Sequence, residues 1–140
     1  MPQQIQDVMT KQLHTVRNDA TLRTVARMMH DQKIGDVIVT NPDGTMCGIV
    51  TDRDLVVRGM AEQRDPDTTR VAVVCTDEVI KLPPSATIDE AVKLMRERAV
   101  RRIPVVSDGK AVGIVTIGDL ARAKDPDSAL AQISAAPPNN

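Results

Sequence analysis

The chain has 140 residues, enough for one domain with a real core and few for two ordinary ones. Its 41% hydrophobic and 26% charged residues are those of a soluble globular protein, and a formal net charge of −1 speaks against a dedicated nucleic-acid binder. It has no aromatic residue, so aliphatic and methionine side chains must build the core, and the usual stacking platform for single-stranded nucleic acid is missing.

No apolar run approaches membrane-spanning length, and no charged region followed by an apolar stretch opens the chain. The expected location is the cytoplasm, with no membrane partner.

In chain order, residues 1–4 read as a loose tail. An extended segment is expected near 13–17. Leu22, Val25, Ala26 and Met29 then fall on one face of a helix. Thr21 can cap that helix, weakly, because Thr24 stands where a capping box wants glutamate. Val37-Ile38-Val39 reads as a strand, Asp43-Gly44 as a hairpin turn, and Gly48-Ile49-Val50 as the returning strand. A second helix is expected from Thr51. Asp65-Pro66-Asp67 marks a joint.

The same series then recurs. Ala20-Thr21 and Met29 match Ala86-Thr87 and Met95, and Val8 and Thr10 match Val74 and Thr76, all at an offset of 66 (Thr21 to Thr87). After the hairpin the offset is 65 (Gly44 to Gly109), so one residue has been dropped at the tip where Pro42 sits. An extended segment is expected at 79–82. Ile88, Ala91, Val92 and Met95 form the helical face, with Thr87 and Glu90 as a capping box. Ile103 to Val106 and Val112 to Val115 are the strands, and a helix follows from Thr116. Residues 124–136 can add a short helix, and Pro137 to Asn140 read as a disordered tail.

The expected fold is therefore α/β (α+β): two pseudo-twofold-related β-α-β-β-α repeats packed through their sheets. Repeat 1 covers 7–63, a linker 64–73, repeat 2 74–123 and a C-terminal extension 124–140. About 60 residues bury too little surface to stand comfortably alone, which favours pairing.

Cys47 and Cys75 lie far apart in sequence and read first as two small buried hydrophobes. A disulfide or shared metal site is the alternative, although no ligand spacing supports zinc.

The sharpest motif is Gly-Ile-Val-Thr-x-x-Asp, present at Gly48 to Asp54 and again at Gly113 to Asp119. Thr-x-x-Asp is a helix capping box. The same geometry suits a ribonucleotide. Free N–H groups at a helix start attract phosphate, a threonine hydroxyl reaches ribose or phosphate, and a carboxylate accepts both protons of a cis-diol. The two uses do not exclude each other. Paired catalytic acids, a nucleophile with its base and a Cys-x-x-Cys motif are all missing, so no enzyme is expected.

These residues resemble a known family. Asp7-Val8-Met9-Thr10, Arg102-Ile103-Pro104-Val105-Val106, Gly113-Ile114-Val115-Thr116 and Asp119-Leu120, duplicated and in this order, are similar to a tandem cystathionine-β-synthase-type (CBS) domain pair, or Bateman module, over Asp7 to Ala123. The resemblance implies two clefts between the halves for AMP, ADP, ATP or S-adenosylmethionine as a regulatory ligand, with no required cofactor. It also implies a homodimer formed through the helices and an effector protein of unknown identity.

Carried over by residue, the second site comprises Arg101, Arg102, Ile103, Pro104, Thr116 and Asp119. The first comprises Gly35, Asp36, Val37, Thr51, Arg53 and Asp54. Gly35 and Asp36 stand where the second copy has Arg101 and Arg102, so the first cleft disfavours phosphate and is expected to stay empty or prefer a less charged adenosyl ligand. The alternative reading is a ligand-free dimerisation and protein-interaction module of the stress-response type.

Overall fold

Leu22, Val25 and Met29 share one face of helix α1 (Leu22–Gln32), and all three are buried. The computed structural model describes residues 3–136, and the chain separates into two units. His14 to Val79 form one, and the residues up to Leu13 belong with those from Ile80 onward in the other.

In the His14–Val79 unit, Thr21 accepts the Thr24 N–H at 3.2 Å, a cap without the reciprocal acid. Helix α1 ends at Lys33, whose φ of 58° turns the chain so that the Ile34 N–H reaches the Met29 carbonyl at 3.1 Å. Strand β1 (Thr15–Arg17) runs parallel to β2 (Asp36–Thr40), which pairs antiparallel with β3 (Met46–Thr51). Val37, Val39 and Val50 from the sheet and Val25 and Met29 from α1 share one core. Val39 faces Gly48 but Thr40 faces Met46, so Cys47 is the extra residue of a β-bulge.

Thr51 then starts a short helix, α2 (Asp52–Asp54), which continues as a wider π turn over Leu55–Met60. Val56 and Val57 are β-branched and Gly59 is flexible, all poor α-formers. The chain between the repeats is pinned to α1. The Leu22 N–H reaches the Thr69 carbonyl at 3.1 Å, the Arg23 N–H that of Pro66 at 3.0 Å, and the Val71 N–H that of Ala20 at 2.7 Å. Beyond it, Ile49 and Thr76 exchange backbone bonds of 3.0 and 2.9 Å, so this segment covers the free edge of β3.

In the other unit, α3 (Ile88–Arg98) carries the expected capping box. The Thr87 N–H donates to Glu90 at 2.9 Å, and the Glu90 N–H to Thr87 Oγ1 at 3.1 Å. Strands β4 (Arg102–Ser107) and β5 (Lys110–Thr116) form a two-stranded sheet with the matching bulge at Val112. The shorter tip is a two-residue turn at Asp108 and Gly109, with φ of 52° and 79°, the I′ pattern that matches strand twist. Helix α4 (Ile117–Lys124) and helix α5 (Ala129–Ala135) follow, the latter capped by Ser128.

Two expectations need correction. Among the described residues, the segment at 79–82 makes only one bridge, Leu82 to Val105, instead of a strand like β1. Pro83 and Pro84 stand where β1 has Arg17 and the chain beyond it has Asn18, and proline has no N–H to extend a ladder. Gln3 and Gln4 are also not a loose tail. The Ile88 N–H donates to the Gln3 carbonyl at 3.2 Å, and Gln4 bridges Thr87. Wholly buried Ile5 anchors them, and Thr10 then pairs with Ile114 by bonds of 2.8 and 2.9 Å. Met1, Pro2 and the expected tail at Pro137 to Asn140 lie outside the described residues. Among the described residues no helix is long and apolar enough to cross a membrane.

Candidate hydroxyl and carboxylate half-sites

Packing selects the motif glycines, against backbone at Gly48 and against a side chain at Gly113. A side chain on Gly48 would run into the Thr76 carbonyl, and one on Gly113 would sit 2.5 Å from Met9 Sδ. Glycine therefore lets the covering segment lie flat on the strand that delivers each threonine.

Both threonine–aspartate pairs close capping boxes. The Asp54 N–H donates to Thr51 Oγ1 at 3.1 Å, and the Thr51 N–H to Asp54 Oδ2 at 2.9 Å. The Asp119 N–H donates to Thr116 Oγ1 at 3.1 Å, and the Thr116 N–H to Asp119 Oδ2 at 3.0 Å. In both, the hydroxyl accepts, which leaves its own hydrogen to donate elsewhere.

The two acids then differ. Asp119 is 3% exposed, and it takes further bonds from Thr10 Oγ1 at 3.2 Å and from Arg122 at 2.5 Å. Asp54 is half-buried, and among the described residues it takes neither. Val57 stands three residues on, where Asp119 has Arg122. Arg58 instead donates to the carbonyl of Val74 at 3.0 Å and holds the covering segment.

The strand starts place the remaining candidates. Arg102 lies opposite Thr116 and Asp36 opposite Thr51, in matching register. The Ile117 N–H donates to the Arg101 carbonyl at 2.9 Å, as the Asp52 N–H does to Gly35 at 3.0 Å. Arg101, Arg102 and Arg53 are exposed. One half-site thus has two arginines at its mouth, and the other has Asp36, Asp52 and Asp54 with Arg53. Ile103 and Val37 are wholly buried in their cores and Pro104 is buried, so these three offer a ligand backbone more than side-chain surface.

Thr10, Arg122 and Arg58 were missed as site residues. Thr10 belonged to the duplicated Val-x-Thr pattern, which was the available signal. Arg122 is one turn from Asp119 on α4, a spacing that puts two side chains on one face.

The second unit has an open apolar groove of about 370 Å³ between α3, α4 and α5, lined by Val92, Met95, Val100, Ile117, Leu120 and Leu130 among others. None of Arg101, Arg102, Thr116 or Asp119 lines it. Among the described residues, no group of three or more His, Cys, Asp or Glu is placed to hold a metal ion.

The family model for the CBS domain matches residues 5–60 and 70–125. Hypoxic response protein 1 of Mycobacterium tuberculosis is 35% identical over 116 residues, covering 83% of this chain and 81% of that protein. A crystal structure of Hypoxic Response Protein I with two coordinated zinc ions superposes with a TM-score of 0.80 at 34% identity, over 86% of this chain and 98% of that one. A structure of CBSX2 in complex with AMP gives 0.74 at 26% identity, over 86% and 94%.

Proposed function

The chain belongs to the CBS domain family, and we propose that it is a non-catalytic regulatory module that binds an adenine nucleotide through Arg101, Arg102, Thr116 and Asp119. The observation that carries this reading is the charge contrast on one scaffold: Arg102 and Asp36 occupy equivalent register positions beside equivalent threonines. Guanidinium groups at a strand start suit a phosphate, and the adjacent helix start of α4 adds a partial positive charge. Asp119 has the acceptor capacity for a ribose diol. Its bonds to Thr10, at 3.2 and 3.4 Å, are long for a hydroxyl on a carboxylate and exchange for those of a diol. The AMP bound by CBSX2 supports this ligand class.

The half-site of Thr51 and Asp54 has the same hydroxyl and a freer carboxylate, but Asp36 and Asp52 repel phosphate. It suits an adenosyl ligand without phosphates, such as S-adenosylmethionine. Binding biases the module between two arrangements that a partner protein reads.

Isothermal titration with AMP, ADP, ATP and S-adenosylmethionine tests this. The expected affinity lies between low micromolar and millimolar, about −4 to −8 kcal/mol. Arg101→Ala with Arg102→Ala should abolish the nucleotide heat. No heat from any of the four ligands at millimolar concentration overturns the reading.

A second reading is supported by exposed apolar side chains. Ile133 is 71% exposed on α5, and in the other unit Met60 is 74% and Val56 54% exposed. Such surfaces suit a homodimer or a docked partner without any ligand. Sedimentation at several protein concentrations, with and without AMP, separates the two readings.

A further inference from the structure

The His14–Val79 unit holds a pair of thiols where the other unit holds none. Cys47 is the bulged residue of β3, and Cys75 lies on the segment that covers the edge of that strand. Their counterparts in the other unit are Val112 and Met9. There, the sulfur of Met9 lies against Gly113, the residue after the bulge. In the His14–Val79 unit Cys75 Sγ takes that place, 3.3 Å from where a side chain on Gly48 would begin. Both thiols pack in one core: Cys75 is 7% exposed, and Cys47, half-buried, packs against it. The Ile49–Thr76 bridge fixes the two strands in register beside them.

We propose that Cys47 and Cys75 form a reversible intramolecular disulfide that staples the edge segment around residues 74–76 to the bulge of β3. Small-molecule disulfides such as oxidised glutathione are the oxidant. The more exposed Cys47 attacks one sulfur of the oxidant as a thiolate, forming a mixed disulfide and releasing one thiol. Cys75 then attacks the Cys47 sulfur, forming the internal bond and expelling a second thiol. Two protein thiols are oxidised and one glutathione disulfide is reduced to two glutathiones, with both protons passing to the leaving groups. Cys75 Sγ lies against Gly48, the residue next to Cys47, and both cysteines pack in one core, so the second step joins neighbouring stretches of chain.

Its consequence is local. Arg58 holds the carbonyls of Val74 and Cys75, at 3.0 and 3.4 Å, by reversible hydrogen bonds. A covalent bond in the same place removes the opening of that segment and steadies the strand that ends in Thr51.

The test uses the full chain, incubated with oxidised glutathione, then unfolded in urea with iodoacetamide and weighed intact. The expected product is a monomer about 2 Da lighter than the reduced chain, with no alkylated cysteine, reverting to two alkylated cysteines after phosphine treatment. Hydrogen exchange at the Ile49 and Thr76 amides should slow at least about tenfold on oxidation. Cys75→Ser should stop at a glutathione adduct on Cys47. Cys47→Val, which copies the second repeat and keeps the fold, should leave Cys75 unmodified. Two alkylated cysteines after oxidant, a stable mixed disulfide on the unmutated chain, or a disulfide-linked dimer would each overturn the proposal.

Discussion

Thr10 donates its hydroxyl hydrogen to Asp119, at 3.2 Å from one carboxylate oxygen and 3.4 Å from the other, across 109 positions of sequence. The same acid caps its own helix and pairs with Arg122. The N-terminal segment is therefore tied by a polar contact, as well as by buried Ile5, to the turn that carries the candidate ligand acid.

Asp119→Ala should destabilise the protein more than Asp54→Ala does. The first loses a cap and strands the Thr10 hydroxyl and the Arg122 guanidinium, for about 2–4 kcal/mol. The second loses only a cap, for about 1 kcal/mol. Urea unfolding of both variants measures the difference. Equal costs would mean that Thr10 and Arg122 contribute nothing.

Exchanging the charges at the strand starts should move the nucleotide preference with them. Arg102→Asp should weaken AMP by about tenfold or more, near 1.4 kcal/mol. Asp36→Arg should add a second AMP equivalent in calorimetry. An unchanged stoichiometry in the second variant would count against the half-site formed by Thr51 and Asp54.

The two motif glycines should not be equivalent. Alanine at position 48 meets the backbone carbonyl of Thr76, which cannot move without breaking its bridge to Ile49. Alanine at position 113 meets the side chain of Met9, which has rotamers to escape into. Gly48→Ala should cost about 3 kcal/mol and Gly113→Ala about 1 kcal/mol, read from thermal or urea unfolding.

Stability under reducing conditions should fall at alkaline pH through Cys75. Burial first, and then the neighbouring Cys47, pushes its thiol from the ordinary value of 9 up to about 11. The unfolded chain then loses this proton near pH 9 while the folded chain holds it. Stability linked to the protonated thiol is complete below pH 9 and declines as pH rises to 11, by about 1–2 kcal/mol. Cys75→Met, which copies the counterpart Met9, should remove that slope in urea titrations between pH 8 and 11.

Much of the architecture was legible in the residues alone. Helix faces follow from a 3.6-residue spacing, hairpins from Asp-Gly turns, and caps from Thr-x-x-Asp and Thr-x-x-Glu. Each of these depends on residues within a few positions of one another, so local chemistry specifies them. The 65- and 66-residue offsets then showed that the chain repeats itself.

Only the tertiary structure decided which segment covers which strand edge. Thr10 could reach Asp119, and Cys75 could lie beside Cys47, only once a covering segment had paired with β5 or β3, and pairing over such separations leaves no local trace. The loss of the β1 counterpart was readable from Pro83 and Pro84. The contrast between a buried Asp119 bonded to Thr10 and Arg122 and a half-buried Asp54 was not. It arises from Arg122 standing where the first repeat has Val57, together with a partner more than a hundred residues away, and burial with long-range hydrogen bonding is a property of the folded chain rather than of either motif.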